Sequence, residues 1–322
     1  MLCSLSLYKA IKTKYPDCNI TLVAAKTNYE IPFFEINPYI NRVLIYDKSS
    51  FKKILNFYKQ LRDRKYQIGF VPSTIVLSRT SHIINFLSGA KKRVGIKSID
   101  GKQNEVSSLL NVKKDFQWKG KHQLKRNLEI AEEADCHLTD NGLSVIKIEF
   151  NEEEIISAKN FIKEIFPDQS KKIIAFHPGA GKVANTWSTE KFIDLIKKIY
   201  DNYNNYVLIT SGWTDEVIIN KIADELDKLS IKYERLHNYP VKKLGAILSE
   251  TDLYITNDTG TMHIAGFSGV KLISLFGPTD PNEWAPKTKT SHYVKSNSND
   301  INDISVEEVF YLAEKILNES DL

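Results

Sequence analysis

An α/β fold made of two doubly wound, parallel-sheet domains is what the sequence predicts, and three observations carry it. Short apolar runs rich in β-branched residues alternate with amphipathic helical stretches along the whole chain, a spacing that requires parallel strands with crossover helices. The alternation restarts after Phe150, where Asn151-Glu152-Glu153-Glu154 opens a helix with acidic residues suited to its first turn. A chain of 322 residues is long enough for two domains, each with its own core.

In the first half, Met1 to Tyr15 places Cys3, Leu7, Ala10 and Ile11 on one helix face and stops before Pro16-Asp17. Residues Asn19 to Ala25 read as a buried strand, followed by a helical connection through Phe33 and Phe34 and a strand at Arg42–Tyr46. An amphipathic helix over Phe51–Arg64, a strand at Tyr66–Val71, a helix over Ser78–Leu87 and a strand at Lys92–Ile96 follow. Residues 101–121 are polar and read as a loop, His122–Ala134 as a helix, and Leu143–Phe150 as the exit from the domain. A doubly wound domain normally opens on its central strand, whereas this half opens on the helix that follows one. The expectation is a chain whose natural start lies upstream of Met1, with the first strand of the first domain absent.

In the second half, strands are expected at Lys172–Phe176, Tyr206–Thr210, near Tyr233, at Tyr254 onward and across Leu272–Phe276. Helices are expected from about Thr189 to Tyr203, after Asp215-Glu216, over Lys242–Leu248, and from Gly260. The carboxyl-terminal helix, Val306–Leu317, is expected to pack back across the domains. Two Rossmann-like domains, 1–150 and 151–322, facing a cleft constitute the GT-B architecture.

Composition narrows the setting. A hydrophobic content of 42% and a charged content of 26% are those of a soluble globular protein. Three scattered cysteines supply neither a disulfide framework nor metal-ligand spacing, and the simplest compartment is a reducing cytoplasm. No apolar run reaches the roughly 20 residues that span a bilayer. The net charge of +4 conceals an asymmetry: residues 1–150 hold 25 Lys+Arg against 14 Asp+Glu, and the remainder 19 against 26. The excess peaks between Phe51 and Asp100 and favours an anionic partner: a phosphorylated acceptor, an anionic membrane surface or nucleic acid. A solvated lysine-rich surface is the plainer alternative.

Three loops of the second half should converge, because the carboxyl ends of parallel strands share one sheet edge. The first, His177-Pro178-Gly179-Ala180-Gly181-Lys182 continuing to Asn185 and Trp187, lets backbone amides approach an anion that Lys182 can neutralise. It is neither a Walker A loop nor G-x-G-x-x-G. The second offers Asp215 and Glu216 after Gly212, placed either to bond a ribose hydroxyl or to cap a helix. The third is the Asn257-Asp258-Thr259-Gly260 elbow, where the Thr259 and Gly260 amides and the helix dipole form a cradle for a diphosphate. Asp258 is suited to accept hydrogen bonds from sugar hydroxyls, and His263 lies one turn into the same helix.

These residues resemble the signature of glycosyltransferase family 9, the heptosyltransferases of lipopolysaccharide core assembly. The resemblance rests on His177-Pro178-Gly179 with Trp187, Gly212 to Glu216, Asp258-Thr259-Gly260 with Met262-His263, and Leu275-Phe276-Gly277-Pro278-Thr279-Asp280-Pro281. The tracts Leu5–Asp17 and His122–Ala134, with Arg126-Asn127-Leu128-Glu129, are similar to the family's first helix and interdomain helix. The resemblance implies an inverting, metal-independent transfer of a sugar, typically from ADP-heptose, to an anionic lipid-linked oligosaccharide. It implies a nucleotide-sugar co-substrate and no cofactor, no nucleic-acid partner, and a cytoplasmic protein in peripheral contact with the inner membrane face. The implied donor-binding residues are Gly179, Ala180, Gly181, Lys182, Asn185, Glu216, Asp258, Thr259, Gly260 and His263.

Two departures qualify it. The family's general base, an aspartate in a Gly-Asp pair, aligns immediately upstream of Met1, so the catalytic residue is unknown in this sequence. A lysine that the family often places two residues before the loop tryptophan is Asn185 here, with Lys182 the candidate to replace it. The alternatives are a nucleotide-sugar-binding homologue without turnover and a nucleotide-sugar epimerase of the same architecture.

Overall fold

The computed structural model describes residues 2–26, 35–72, 74–138 and 147–318. It divides into two compact units, Met1–Ile146 and Lys147–Leu322. The division falls a few residues before the expected Phe150–Asn151 junction. The Ile148 amide donates to the Phe267 carbonyl at 2.8 Å, which ties this stretch to the second unit.

In the first unit, α1 (Leu5–Lys14) follows a 3-10 turn at Leu2–Ser4 and buries Leu5, Leu7, Ala10 and Ile11. Strands β1 (Thr21–Ala25) and β2 (Arg42–Tyr46) pair in parallel. Helix α2 (Phe51–Arg62) starts at Ser50, whose hydroxyl accepts the Lys53 amide. Strand β3 (Ile68–Phe70), helix α3 (Arg79–Leu87) and strand β4 (Lys92–Ile99) follow, with β3 and β4 parallel. The Phe33–Phe34 connection and the start of the Leu143–Phe150 exit lie outside the described residues. Among the described residues no strand joins the β1–β2 pair to the β3–β4 pair, so the sheet of this unit is in two pieces.

The expectation of a loop across residues 101–121 is corrected. Strand β5 (Lys102–Gln103) pairs antiparallel with the end of β4, and β6 (Val112–Phe116) runs parallel along its other side. Lys113, Lys114 and Asp115 are exposed while Phe116 is buried, so this strand has little apolar periodicity to betray it. Phe116 stacks on the buried Trp118 with centroids 4.5 Å apart, and the Trp118 indole N–H donates to Glu129 Oε2 at 2.7 Å. Glu129 belongs to α4 (Gln123–Glu132), which packs on α1 through the Ser6 hydroxyl donating to the Leu124 carbonyl at 2.7 Å.

The second unit opens on α5 (Glu152–Ile165), where Asn151 and Glu154 form a reciprocal capping box. Six parallel strands follow: β7 (Ile173–His177), β8 (Tyr206–Ser211), β9 (Tyr233–His237), β10 (Leu253–Asn257), β11 (Leu272–Phe276) and β12 (Ser291–Lys295). Their spatial order is β12-β11-β10-β7-β8-β9. Strands β7, β10 and β11 are buried at every residue, as sheet strands covered on both faces must be, which is why they read as unbroken apolar runs. Strand β12 was not anticipated; it is a half-buried edge with weaker patterning.

The connecting helices are α6 (Thr189–Tyr203), α7 (Glu216–Lys228), α8 (Val241–Leu248), α9 (Gly260–Ser268), α10 (Pro281–Trp284) and α11 (Val306–Asn318). Val309, Ala313, Ile316 and Leu317 of α11 enter the core that holds Trp187, Phe192 and Ile255. The terminal helix thus contributes these side chains to the core of the second unit. Strand order reverses between β7 and β10, and it is at such a switch point that loops diverge to leave room for a ligand.

Candidate functional site

The loops after β7 and β10 leave the sheet on either side of that switch point, and hydrogen bonds lock them together. The buried Asn257 side chain donates to the Pro178 carbonyl at 2.9 Å and accepts the Trp187 amide at 3.2 Å. Next to it, Asn185 Nδ2 donates to Asp258 Oδ2 at 3.1 Å, and the Thr279 hydroxyl donates to the same oxygen at 2.6 Å. Thr279 comes from the turn after β11, so the β7 and β11 loops fix a carboxylate carried by the β10 loop.

The loop after β8 joins through Asp215. Its carboxylate accepts the Gly212 amide at 2.6 Å and lies directly beneath Gly179, where an added Cβ would fall 2.1 Å from the Asp215 Cγ. Only glycine lets the β7 loop pass that close over a buried acid. Below both loops His177 Nδ1 is 3.0 Å from Thr210 Oγ1, which lies 2.9 Å from the Tyr254 hydroxyl.

The amino terminus of α9 opens at this edge. Thr259 is its N-cap in extended conformation, yet its side chain makes no capping bond and pairs with the Thr261 hydroxyl at 2.7 Å. Ser50, Ser78, Asn151, Ser188 and Asp280 cap their own helices, while Ser4 and Asp215, like Thr259, make no such bond. The first amides of α9 are therefore left by their cap residue to another acceptor, with the positive end of the helix dipole behind them. Lys182 is exposed and close enough to Asp258 to stabilise its negative charge.

Burial sets the electrostatics of the site. Desolvation raises the Asp258 carboxyl above its ordinary range, against the Thr279 hydrogen bond and the Lys182 charge. Burial also lowers the His177 imidazole, partly offset by Asp215 at 3.8 Å, so the ring is held neutral. A histidine depressed in the native state takes up a proton on unfolding, so its contribution to stability is present above the unfolded pKa and lost below it. Unfolding free energy measured by urea titration should fall as pH drops below about 6.5. His177→Gln should flatten that slope, and an unchanged slope would remove His177 as its source.

Of the expected residues, the structure brings Gly179, Asn185 and Asp258 into one hydrogen-bonded assembly, with Lys182 acting on Asp258 by charge. Ala180 and Gly181 continue the β7 loop, half-buried and exposed, and Thr259 and Gly260 form the α9 terminus. Glu216 is exposed at the first position of α7, while its neighbour Asp215 is buried and committed to the turn. The His263 ring is half-buried and stacks on Phe267 with centroids 6.3 Å apart. Residue-by-residue reading missed the roles of Asn257 and Thr279. Both lie inside quoted motifs, but their partners are distant in sequence.

Two units of parallel sheet flanked by helices, one with converging loops at its switch point, make this a GT-B fold. A solved structure titled as E. coli ADP-heptose LPS heptosyltransferase II superimposes with a TM-score of 0.79 over 98% of this chain and 95% of that one, at 19% identity. The profile of glycosyltransferase family 9 (heptosyltransferase) matches residues 54–311, and the chain belongs to that family. Lipooligosaccharide heptosyltransferase 2 of Campylobacter jejuni is 27% identical over 171 residues, covering 52% of this chain and 50% of the relative. The match thus spans about half the length of that relative. Lipopolysaccharide heptosyltransferase 3 of E. coli K12 is 21% identical across 99% of this chain and 95% of its own.

Proposed function

We propose that this protein transfers a heptose from ADP-heptose to an anionic lipid-linked oligosaccharide of the lipopolysaccharide-core type, with inversion and without a metal ion. The observation that carries the reading is the α9 terminus, left open by Thr259 beside the Asp258 carboxylate that Asn185 and Thr279 hold in place. The acceptor hydroxyl attacks the anomeric carbon as it gives its proton to a general base, a role no residue of this sequence is assigned, and the electron pair of the breaking C–O bond passes to the diphosphate. The α9 amides and Lys182 receive the charge that develops there, a stabilisation already in place before reaction. Asp258 accepts from the sugar hydroxyls, Gly179, Ala180 and Gly181 let the backbone approach the phosphates, Glu216 takes a ribose hydroxyl, and His263 orients the donor. The work is done at the cytoplasmic side, in peripheral contact with the inner membrane.

The test is ADP release from ADP-heptose in the presence of heptose-deficient lipopolysaccharide and a chelator. Acceptor-dependent ADP with inverted product configuration is the expected result. Donor consumption without acceptor would instead identify an epimerase. Donor binding without turnover on any acceptor would identify a non-catalytic homologue.

A further inference from the structure

Helices α2 and α3 lie side by side on the first unit, sharing a buried cluster of Phe57, Leu61, Ile84 and Leu44. The Arg62 guanidinium of α2 donates to the Leu87 carbonyl at the end of α3 at 3.1 Å. With their inner faces used this way, the outer faces should be polar. They are not. Phe51 is 75% exposed and Leu55 54% on α2, while Ile83 is 43% and Phe86 48% exposed on α3. Ile75 and Val76, in the segment leading into α3, are 63% and 74% exposed.

On α2 the apolar pair shares its stripe with Arg62, and on α3 with Arg79, which is ion-paired to Glu105, since residues spaced by four, seven and eleven fall on one helix face. Residues 51–99 contain eleven Lys and Arg and one acid, Asp63, which is itself taken by Arg42 at 2.9 Å. The guanidinium of Arg93 stands 5.4 Å over the Phe86 ring, so cation and apolar group are interleaved at close range.

We propose that this α2–α3 face is a docking surface for an anionic lipid bilayer, its cations meeting headgroups while Phe51, Leu55, Ile83 and Phe86 enter the acyl boundary. A second copy of the chain fits less well, because two such faces would bring like charges together. Nucleic acid would engage the cations but has no use for exposed leucine, isoleucine and valine. The inference deepens the peripheral-membrane part of the reading above and rests on it for its setting. Vesicle binding is read without donor or acceptor, so its failure leaves the donor site standing.

The experiment is sedimentation of the full chain with phosphatidylcholine vesicles, with and without phosphatidylglycerol. Partition at least roughly tenfold stronger to the anionic vesicles, released by salt, is expected. Phe51→Ser, Leu55→Ser, Ile83→Ser and Phe86→Ser combined should weaken it about tenfold at unchanged charge, and Phe51→Ser with Leu55→Ser alone, at the two more exposed positions, should weaken it in the same direction with the melting curve little changed. Lys52→Glu, Lys59→Glu, Lys91→Glu and Lys92→Glu combined should weaken it further, through the charge alone. Equal partition to both vesicle types, or none to either, would overturn the proposal. So would retention on duplex DNA without vesicle binding, or a dimer in light scattering that the serine variant abolishes.

Discussion

Asp258→Asn should lower kcat/KM for the nucleotide sugar by roughly 10- to 100-fold, the loss of a charge-assisted hydrogen bond of about 1.5–3 kcal/mol, while leaving the protein as stable as before or more so. The two halves of that expectation have separate causes. The native state holds the Asp258 carboxyl above its unfolded value because burial penalises the charge. Where the folded form binds more protons than the unfolded one, stability falls as pH rises, so the ionised carboxylate is a cost at neutral pH. An asparagine oxygen accepts the same Asn185 and Thr279 bonds without that cost. A charge kept against its own contribution to stability is common at functional sites. The check is paired kinetics and thermal unfolding. Near-normal kinetics would remove Asp258 from the site, and a large drop in melting temperature would make it a structural acid.

Trp187→Ala carries the largest expected loss of stability, about 3–5 kcal/mol for emptying a fully buried indole. Trp187 is wholly buried and meets Phe192 edge-on with centroids 5.0 Å apart. Its indole N–H donates to the Ile304 carbonyl at 3.0 Å, and its backbone amide donates to Asn257. The residue thus pins the β7 loop both to the core under α11 and to the β10 elbow. For a unit of this size the melting temperature should fall by roughly 10 °C. Trp187→Phe should fall between, because it keeps a ring and loses the indole donor. Calorimetry of both variants decides the matter. A loss under about 1 kcal/mol for the alanine variant would show that the loop is held by something else.

The second unit was legible in the sequence because its central strands are covered on both faces, so Ile173–His177, Leu253–Asn257 and Leu272–Phe276 read as apolar runs between turn residues. The site was legible in outline for a related reason: glycine, asparagine and aspartate cluster wherever those strands end. Edges were harder to read. β6 exposes Lys113, Lys114 and Asp115, and β12 is only half-buried, so neither carries the period that burial imposes. Long-range polar partners were harder still. Nothing local to Thr279 tells that its hydroxyl fastens Asp258, and Asp215 beneath Gly179 looks in sequence as available to a ribose as Glu216.

On the proposed reading, the β7, β10 and β11 loops form a nucleotide-sugar site without a metal ion. Its most direct test is a calorimetric titration of the full chain with ADP and with ADP-heptose in the presence of EDTA. One site per chain is expected for both ligands. Lys182→Ala should weaken both by roughly tenfold, through the lost charge on the diphosphate, and Asp258→Asn should weaken the nucleotide sugar more than ADP. Folded protein that takes up neither ligand in EDTA, or binds them equally well in the two variants, would contradict the account.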